Sequence, residues 1–176
     1  LSFLLLSATA FSQIGYSFTG YVNYYSNSND SLPFSGVTAH LRDSIGIIID
    51  STTTDNEGNY TFNNVVSGNY TVTFTTDKPA ASKGVNLTDP FIIEQRLSEI
   101  ITFDAIQELA ADVNGDGEVT QQDYDLILIS YLNEGKPFPV GPWVFETASV
   151  TIPTAAREGF TSRGGSSGDV NGSLVP

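Results

Sequence analysis

The chain has 176 residues, with 20 acidic side chains against 7 basic ones, a formal net charge of −13, and neither cysteine nor methionine. That length holds one medium or two small domains, since single cores commonly run to ~100–150 residues, and a 40% hydrophobic, 15% charged composition is not that of a disordered acidic tail. The charge argues against nucleic acid and against an anionic membrane surface, both of which call for clustered Lys and Arg. The lack of cysteine excludes disulfides, thiol nucleophiles and cysteine–zinc sites, and the lone histidine, His40, excludes a His-rich cluster.

Residues Leu1–Ser7 (LSFLLLS) form an apolar run followed by small residues. The run reads as the end of an export signal covering 1–12, on a chain whose opening Leu1 marks it as a fragment. It is shorter than the ~20 apolar residues a spanning helix needs, so membrane insertion is not expected. An N-terminal apolar strand is the alternative.

From Tyr16 to Thr76 the pattern is one of short alternating strands: Ser17–Tyr25, Gly36–Arg42, Ile45–Thr54, Asn59–Phe62 and Asn69–Thr76. Asn27–Asp30, Asp43-Ser44, Asp55–Gly58 and Ser67-Gly68 punctuate them as turns. Strands at roughly ten-residue spacing predict a small antiparallel sandwich over 13–78. After Pro79 the period changes. Apolar residues at three-to-four spacing predict helices over Thr88–Ile101, Phe103–Ala111 and Asp123–Leu132. Trp143–Phe145 and Ala148–Ile152 return to strand character, and 148–176 reads as the start of a further, truncated β module. Charge follows the same division, because residues 79–147 carry 12 of the acids and only 3 bases.

One motif carries chemistry. Asp112-Val113-Asn114-Gly115-Asp116-Gly117-Glu118-Val119-Thr120-Gln121-Gln122-Asp123 has the spacing of a twelve-residue calcium loop. Calcium takes six to eight oxygens at ~2.3–2.6 Å in a flexible cage. Asp112, Asn114 and Asp116 offer side-chain oxygens, Gly117 permits the sharp turn, Glu118 offers its carbonyl, and Asp123 closes the site from the next helix. The EF-hand pattern has Glu at the closing position, and the shorter Asp draws loop and helix closer together. The bland alternative is a solvated acidic turn. Magnesium suits the site less, since it keeps more of its water.

The turn-and-strand run Asp55–Phe62 followed by Val65–Val72 resembles the signature of carboxypeptidase regulatory-like and Cna-B-like sandwich modules, which implies a non-catalytic spacer. With no lysine between 13 and 77, the Lys–Asn isopeptide bond of some Cna-B modules is not expected here. An internal repeat at an offset of 34 aligns Val85–Asp89 with Val119–Asp123, and Ile92-Ile93 with Leu126-Ile127. Two loop–helix repeats of this kind resemble a type I dockerin over about Pro79–Leu132. The resemblance implies calcium as cofactor and a cohesin-like protein module, or other domains of the same longer chain, as partner. Projected back, the first loop's ligand positions fall on Lys78, Ala80 and Ser82, with Lys83 at the turn, so 79–147 is expected to bind one calcium and not two. The positions that would face a cohesin are Leu87 and Thr88, then Gln121 and Gln122, where family examples commonly carry Ser-Thr. Gly168–Ser173 looks like half of another Asp-x-Asn loop. It is open to three readings: a turn, a weak independent site, or Asp169 and Asn171 lending oxygens to a neighbour.

Other residues are read as structural. Asp123 with Asp125, and Glu94 with Glu99, are ligand and solvated helix faces in preference to a glycosidase pair. His40 is a half-exposed strand residue. Trp143 with Phe138 and Phe145 packs against the helical pair in preference to forming a sugar platform. Asp30-Ser31-Leu32 and Asp43-Ser44-Ile45 match a short O-glycosylation pattern. The whole is a multi-module α+β chain, a β-sandwich followed by a small EF-hand-like helical module, resembling multimodular secreted proteins of Bacteroidetes. The function expected is calcium-dependent attachment or assembly outside the cell, without catalysis. The alternatives are an accessory part of a larger secreted polysaccharide-degrading enzyme, or a calcium-rigidified adhesin or stalk.

Overall fold

The computed structural model describes residues 14–27, 32–79, 84–133, 136–152 and 159–174. The expected export segment, the Asp30-Ser31 pair and Ala80, Ser82 and Lys83 lie outside the described residues. Alternation builds the strands. In β5 (Asn59–Val65) and β6 (Gly68–Thr75), Tyr60 and Phe62 and then Tyr70, Val72 and Phe74 turn inward while their neighbours face water. In β3 (Thr38–Arg42), Ala39 and Leu41 do the same. The period of two puts every second side chain on the core face. The turn before β5 closes through Asp55, whose carboxylate accepts from the Glu57 and Asn59 N–H groups. The Asn59 N–H bond is the main reason that this carboxyl is held below its ordinary value.

The strands form two sheets. In the first, β1 (Tyr16–Tyr24) pairs antiparallel with β5 and with the short β2 (Leu32–Pro33) along one edge, and parallel with β9 (Phe160–Ser166) along the other; β9 then pairs with β7 (Trp143–Phe145). The second is antiparallel throughout, in the order β4 (Ile48–Thr53), β3, β6, β8 (Ala148–Ile152). Phe18, Val22, Tyr24, Phe34, Phe62, Val72, Val150 and Ile152 fill the space between them.

Three helices stand between β6 and β7: α1 (Thr88–Leu97), α2 (Ala105–Ala111) and α3 (Gln121–Leu132). They enclose a second, smaller core of Ile93, Ala111, Val113, Ile127 and Val170, with Val85, Val119 and Phe138 packed against it. Helix α2 starts on a capping box, in which Asp104 accepts from the Gln107 N–H and the Gln107 side chain accepts from the Asp104 N–H. Helix α3 starts on the same device built from Thr120 and Asp123.

Three expectations change on this scaffold. Residues 148–152 do not open a new sheet: they pair with β6 across Gly68–Val72, and 160–164 pair with β1. The strands after the helices therefore satisfy the backbone edges left open by β6 and β1. Trp143 packs with the sandwich and not with the helices. Its ring meets those of Tyr24 and Phe34, and its Nε1–H donates to the Lys78 carbonyl at 2.9 Å. Phe145 likewise stacks on Phe34, and of the aromatic trio only Phe138 reaches the helical core. Helix α1 stops at Leu97, four residues before the expected Ile101. Ile48 and Ile49, on the outer edge strand β4, and Ile47 just before it, face solvent.

Candidate metal centre

Residues 112–123 link α2 to α3 and curl back on themselves. Gly115 and Gly117 sit at φ +79° and +90°, conformations that favour a residue without Cβ. The Asp112 carboxylate accepts from the Gly115, Asp116 and Gly117 N–H groups at 2.8, 3.2 and 2.9 Å, which wraps the loop around it. Asn114 Oδ1 accepts from the Asp116 N–H, and Asp116 Oδ1 accepts from the Glu118 N–H. Asp123 returns from the first turn of α3. It is fully buried and accepts from the Asn114 N–H at 3.2 Å and the Thr120 N–H at 3.0 Å, so one side chain caps the helix and closes the loop.

Carboxylate oxygens of Asp112, Asp116 and Asp123 lie within 4.8 Å of one another. Val113, between the first two ligand positions, is buried in the helical core, and Val119 packs against it. These apolar anchors fix the loop while its oxygens stay on the concave side. Asn114 Nδ2 donates to Asp116 Oδ2 at 2.9 Å. Every acceptor in the cage is oxygen, and no Lys, Arg or His among the described residues enters it, a donor set suited to a hard cation.

Of the positions projected for the first repeat, Lys78 is the described one, and its ammonium lies over the Phe34 ring, 5.3 Å from the centroid, on the sandwich side. Asp89 is fully buried, and burial, ahead of all other influences, pushes its carboxyl up to about 7. Asp125 accepts from the Gln121 side chain, and Glu94 and Glu99 are exposed. His40 sits between the Ser51 and Thr75 hydroxyls on the sheet surface. Thr120 is the site residue that the sequence reading passed over. The signal was present as Thr120-Gln121-Gln122-Asp123, a capping box with Asp in place of the usual Glu.

Residues 81–133 match the dockerin type I domain. Residues 23–89 match the SdrD B-like domain, so the sandwich and the dockerin region adjoin in the order that the residue patterns indicate. Similar proteins include a fibrinogen-binding protein of Staphylococcus epidermidis, 46% identical over 70 residues, which are 37% of this chain and 6% of that protein. Colossin-A of Dictyostelium discoideum is 43% identical over 54 residues, 31% of this chain and 0%, to the nearest per cent, of that protein. The chain thus spans a small fraction of the length of either relative. Both domain types are non-catalytic kinds of module found in extracellular or cell-surface proteins. No helix among the described residues is long and apolar enough to cross a membrane.

Proposed function

We propose that this chain is the calcium-binding, non-catalytic attachment segment of a secreted protein, with calcium held by the side chains of Asp112, Asn114, Asp116 and Asp123 and the carbonyl of Glu118. The convergence of the Asp112, Asp116 and Asp123 carboxylates within 4.8 Å, inside a segment matching the dockerin family, carries the reading. Calcium supplies no reaction step here; it neutralises the cage and ties the end of α2 to the start of α3. Isothermal titration of the chelator-stripped chain tests it. Asp116→Ala lowers calcium affinity at this loop at least tenfold, and unchanged affinity in the variant contradicts the assignment.

The partner that fits a dockerin is a cohesin-like module. Leu87, Thr88, Gln121 and Gln122 stand exposed at the starts of α1 and α3, where such a partner would meet them. Their chemistry, one apolar and three uncharged polar side chains, favours a neutral docking face over an ionic one. A second reading draws on the similarity to a fibrinogen-binding protein. In it the sandwich is a spacer of an adhesin, and the dockerin region serves to stiffen it. Calcium-dependent capture of a purified cohesin supports the first reading; no capture, with a melting temperature that still rises on calcium binding, supports the second.

A further inference from the structure

A second pair of acids meets away from the loop just described. Asp89, on α1, and Asp169, after β9, are 0% and 1% exposed, and they come together although they lie 80 positions apart in the chain. Around them the chain reproduces, in two pieces, the arrangement of residues 112–123. Asp169-Val170-Asn171-Gly172-Ser173 occupies the place of Asp112-Val113-Asn114-Gly115-Asp116, and Gly84–Asp89 that of Glu118–Asp123. The Asn171 N–H donates to Asp89 at 3.0 Å, as the Asn114 N–H does to Asp123 at 3.2 Å. The Asn86 N–H donates to the other Asp89 oxygen at 2.7 Å, as the Thr120 N–H does to Asp123 at 3.0 Å. Val170 is buried beside Val113 in the helical core, and Gly172 shares the positive φ of Gly115.

Two observations point to a cation site. Buried carboxylates are costly unless they are paired or coordinate a metal, yet no Lys, Arg or His among the described residues bridges Asp89 or Asp169. Burial first, and then the Asp169 charge, raise the Asp89 carboxyl. Independently, the Tyr24 hydroxyl is fully buried without a hydrogen-bond partner among the described residues, and burial first, then the Asp169 charge, keep it protonated. The Gly84 carbonyl accepts from the Ser173 hydroxyl at 3.0 Å, so a main-chain oxygen and a side-chain oxygen already converge there. A Cβ on Gly84 would lie 3.0 Å from Asp169 Oδ2, so the two pieces approach closely at this glycine.

We propose that Asp89, Asp169, Asn171, Ser173 and the Gly84 carbonyl form a second calcium site, assembled from two distant segments. Asp169, Asn171 and Ser173 come to this site from the chain after β9. Calcium there clasps the last sandwich strand to α1.

Native mass spectrometry of the full chain, stripped with EDTA and returned to calcium, tests this separately from the first site. The unaltered chain binds two ions, Asp116→Ala binds one, and Asp116→Ala with Asp169→Asn binds none. Loss of all calcium in Asp116→Ala alone, or an ion retained in the double variant, overturns the second site. Failure of the first site has a different signature: one ion in the unaltered chain, kept in Asp116→Ala and lost in Asp169→Asn. Ser173→Ala guards against misfolding, because Ser173 is exposed. In the Asp116→Ala background it weakens the remaining ion several-fold, and unchanged affinity there counts against the proposal.

Discussion

Arg163 joins three parts of the chain, meeting Glu146 at 2.8 Å and Asp104 at 2.8 Å. Its two carboxylate partners, the Glu146 hydrogen bond foremost, hold the guanidinium firmly protonated. Asp104 is the N-cap of α2. Burial works to raise its carboxyl, but the Arg163 and Gln107 bonds outweigh it and the net shift is downward. A carboxyl lowered in the folded state adds stability that is fully present above its unfolded value near 3.8 and is lost as pH falls through the folded value. Asp104→Asn keeps the cap and removes the charge. Because the side chain is 48% exposed, the expected loss at pH 7 is no more than about 1 kcal/mol. Urea unfolding at pH 7 and at pH 3 measures it, and the gap between variant and parent shrinks at the lower pH. Arg163→Ala leaves Glu146 without its partner and costs more, on the order of 1–3 kcal/mol. Local spacing made the convergence of the Asp112, Asp116 and Asp123 carboxylates legible in the sequence. For Asp169 the sequence left three readings open, and its meeting with Asp89 could not be read from spacing because it depends on the path of the whole chain.

Among the elements, the ends of strands and helices depend on backbone conformation as much as on side-chain pattern. Gly58 turns the chain into β5 at φ +80°, and a Cβ there would lie 2.6 Å from the Val22 carbonyl oxygen. Gly58→Ala combines left-handed strain with a clash against backbone, and unfolding in urea should show a loss on the order of 2–3 kcal/mol. The opposite case ends α1. Glu99 takes φ +58°, with the Ile100 N–H bonded to the Gln95 carbonyl and the Glu99 N–H to the Arg96 carbonyl. This is a left-handed stop made without the usual glycine. Glu99→Gly therefore stabilises by about 0.5–1 kcal/mol. The same feature explains why the apolar period runs on to Ile101 although the helix does not. With no glycine after Leu97 to mark the end, periodicity alone overshoots. Strands β3 and β6, and most of β1 and β5, were readable because they bury every second residue. The outward face of Ile47–Ile49 was not readable, since an edge strand is defined by its neighbours.

Across the whole molecule, the chain leaves the sandwich after β6, builds the three helices, and returns to finish both sheets. The parallel pairing of β1 with β9 joins Gly20 to Phe160, and no local pattern in the sequence announces a contact at that distance. The division expected at residue 148 thus follows composition, whereas the sheets follow backbone edges that need partners. A chain ended after Thr147 lacks Val150 and Ile152 from the core and leaves β1 and β6 with open edges. It should aggregate, or melt well below the full chain, and equal melting temperatures would show that β8 and β9 are dispensable. The crowding of seven acids into residues 104–125 sets the other whole-molecule property. Without a cation these carboxylates repel one another across the loop, and calcium bound only by the folded form stabilises it by mass action. Hydrogen exchange of the full chain in calcium and in EDTA reads this directly. At calcium a hundredfold above its dissociation constant, amides of the 112–123 loop and the starts of α1 and α3 should gain protection of up to about a hundredfold, while β3 and β6 change little. Equal protection of the loop and helices in both conditions would contradict the claim that calcium holds this region together.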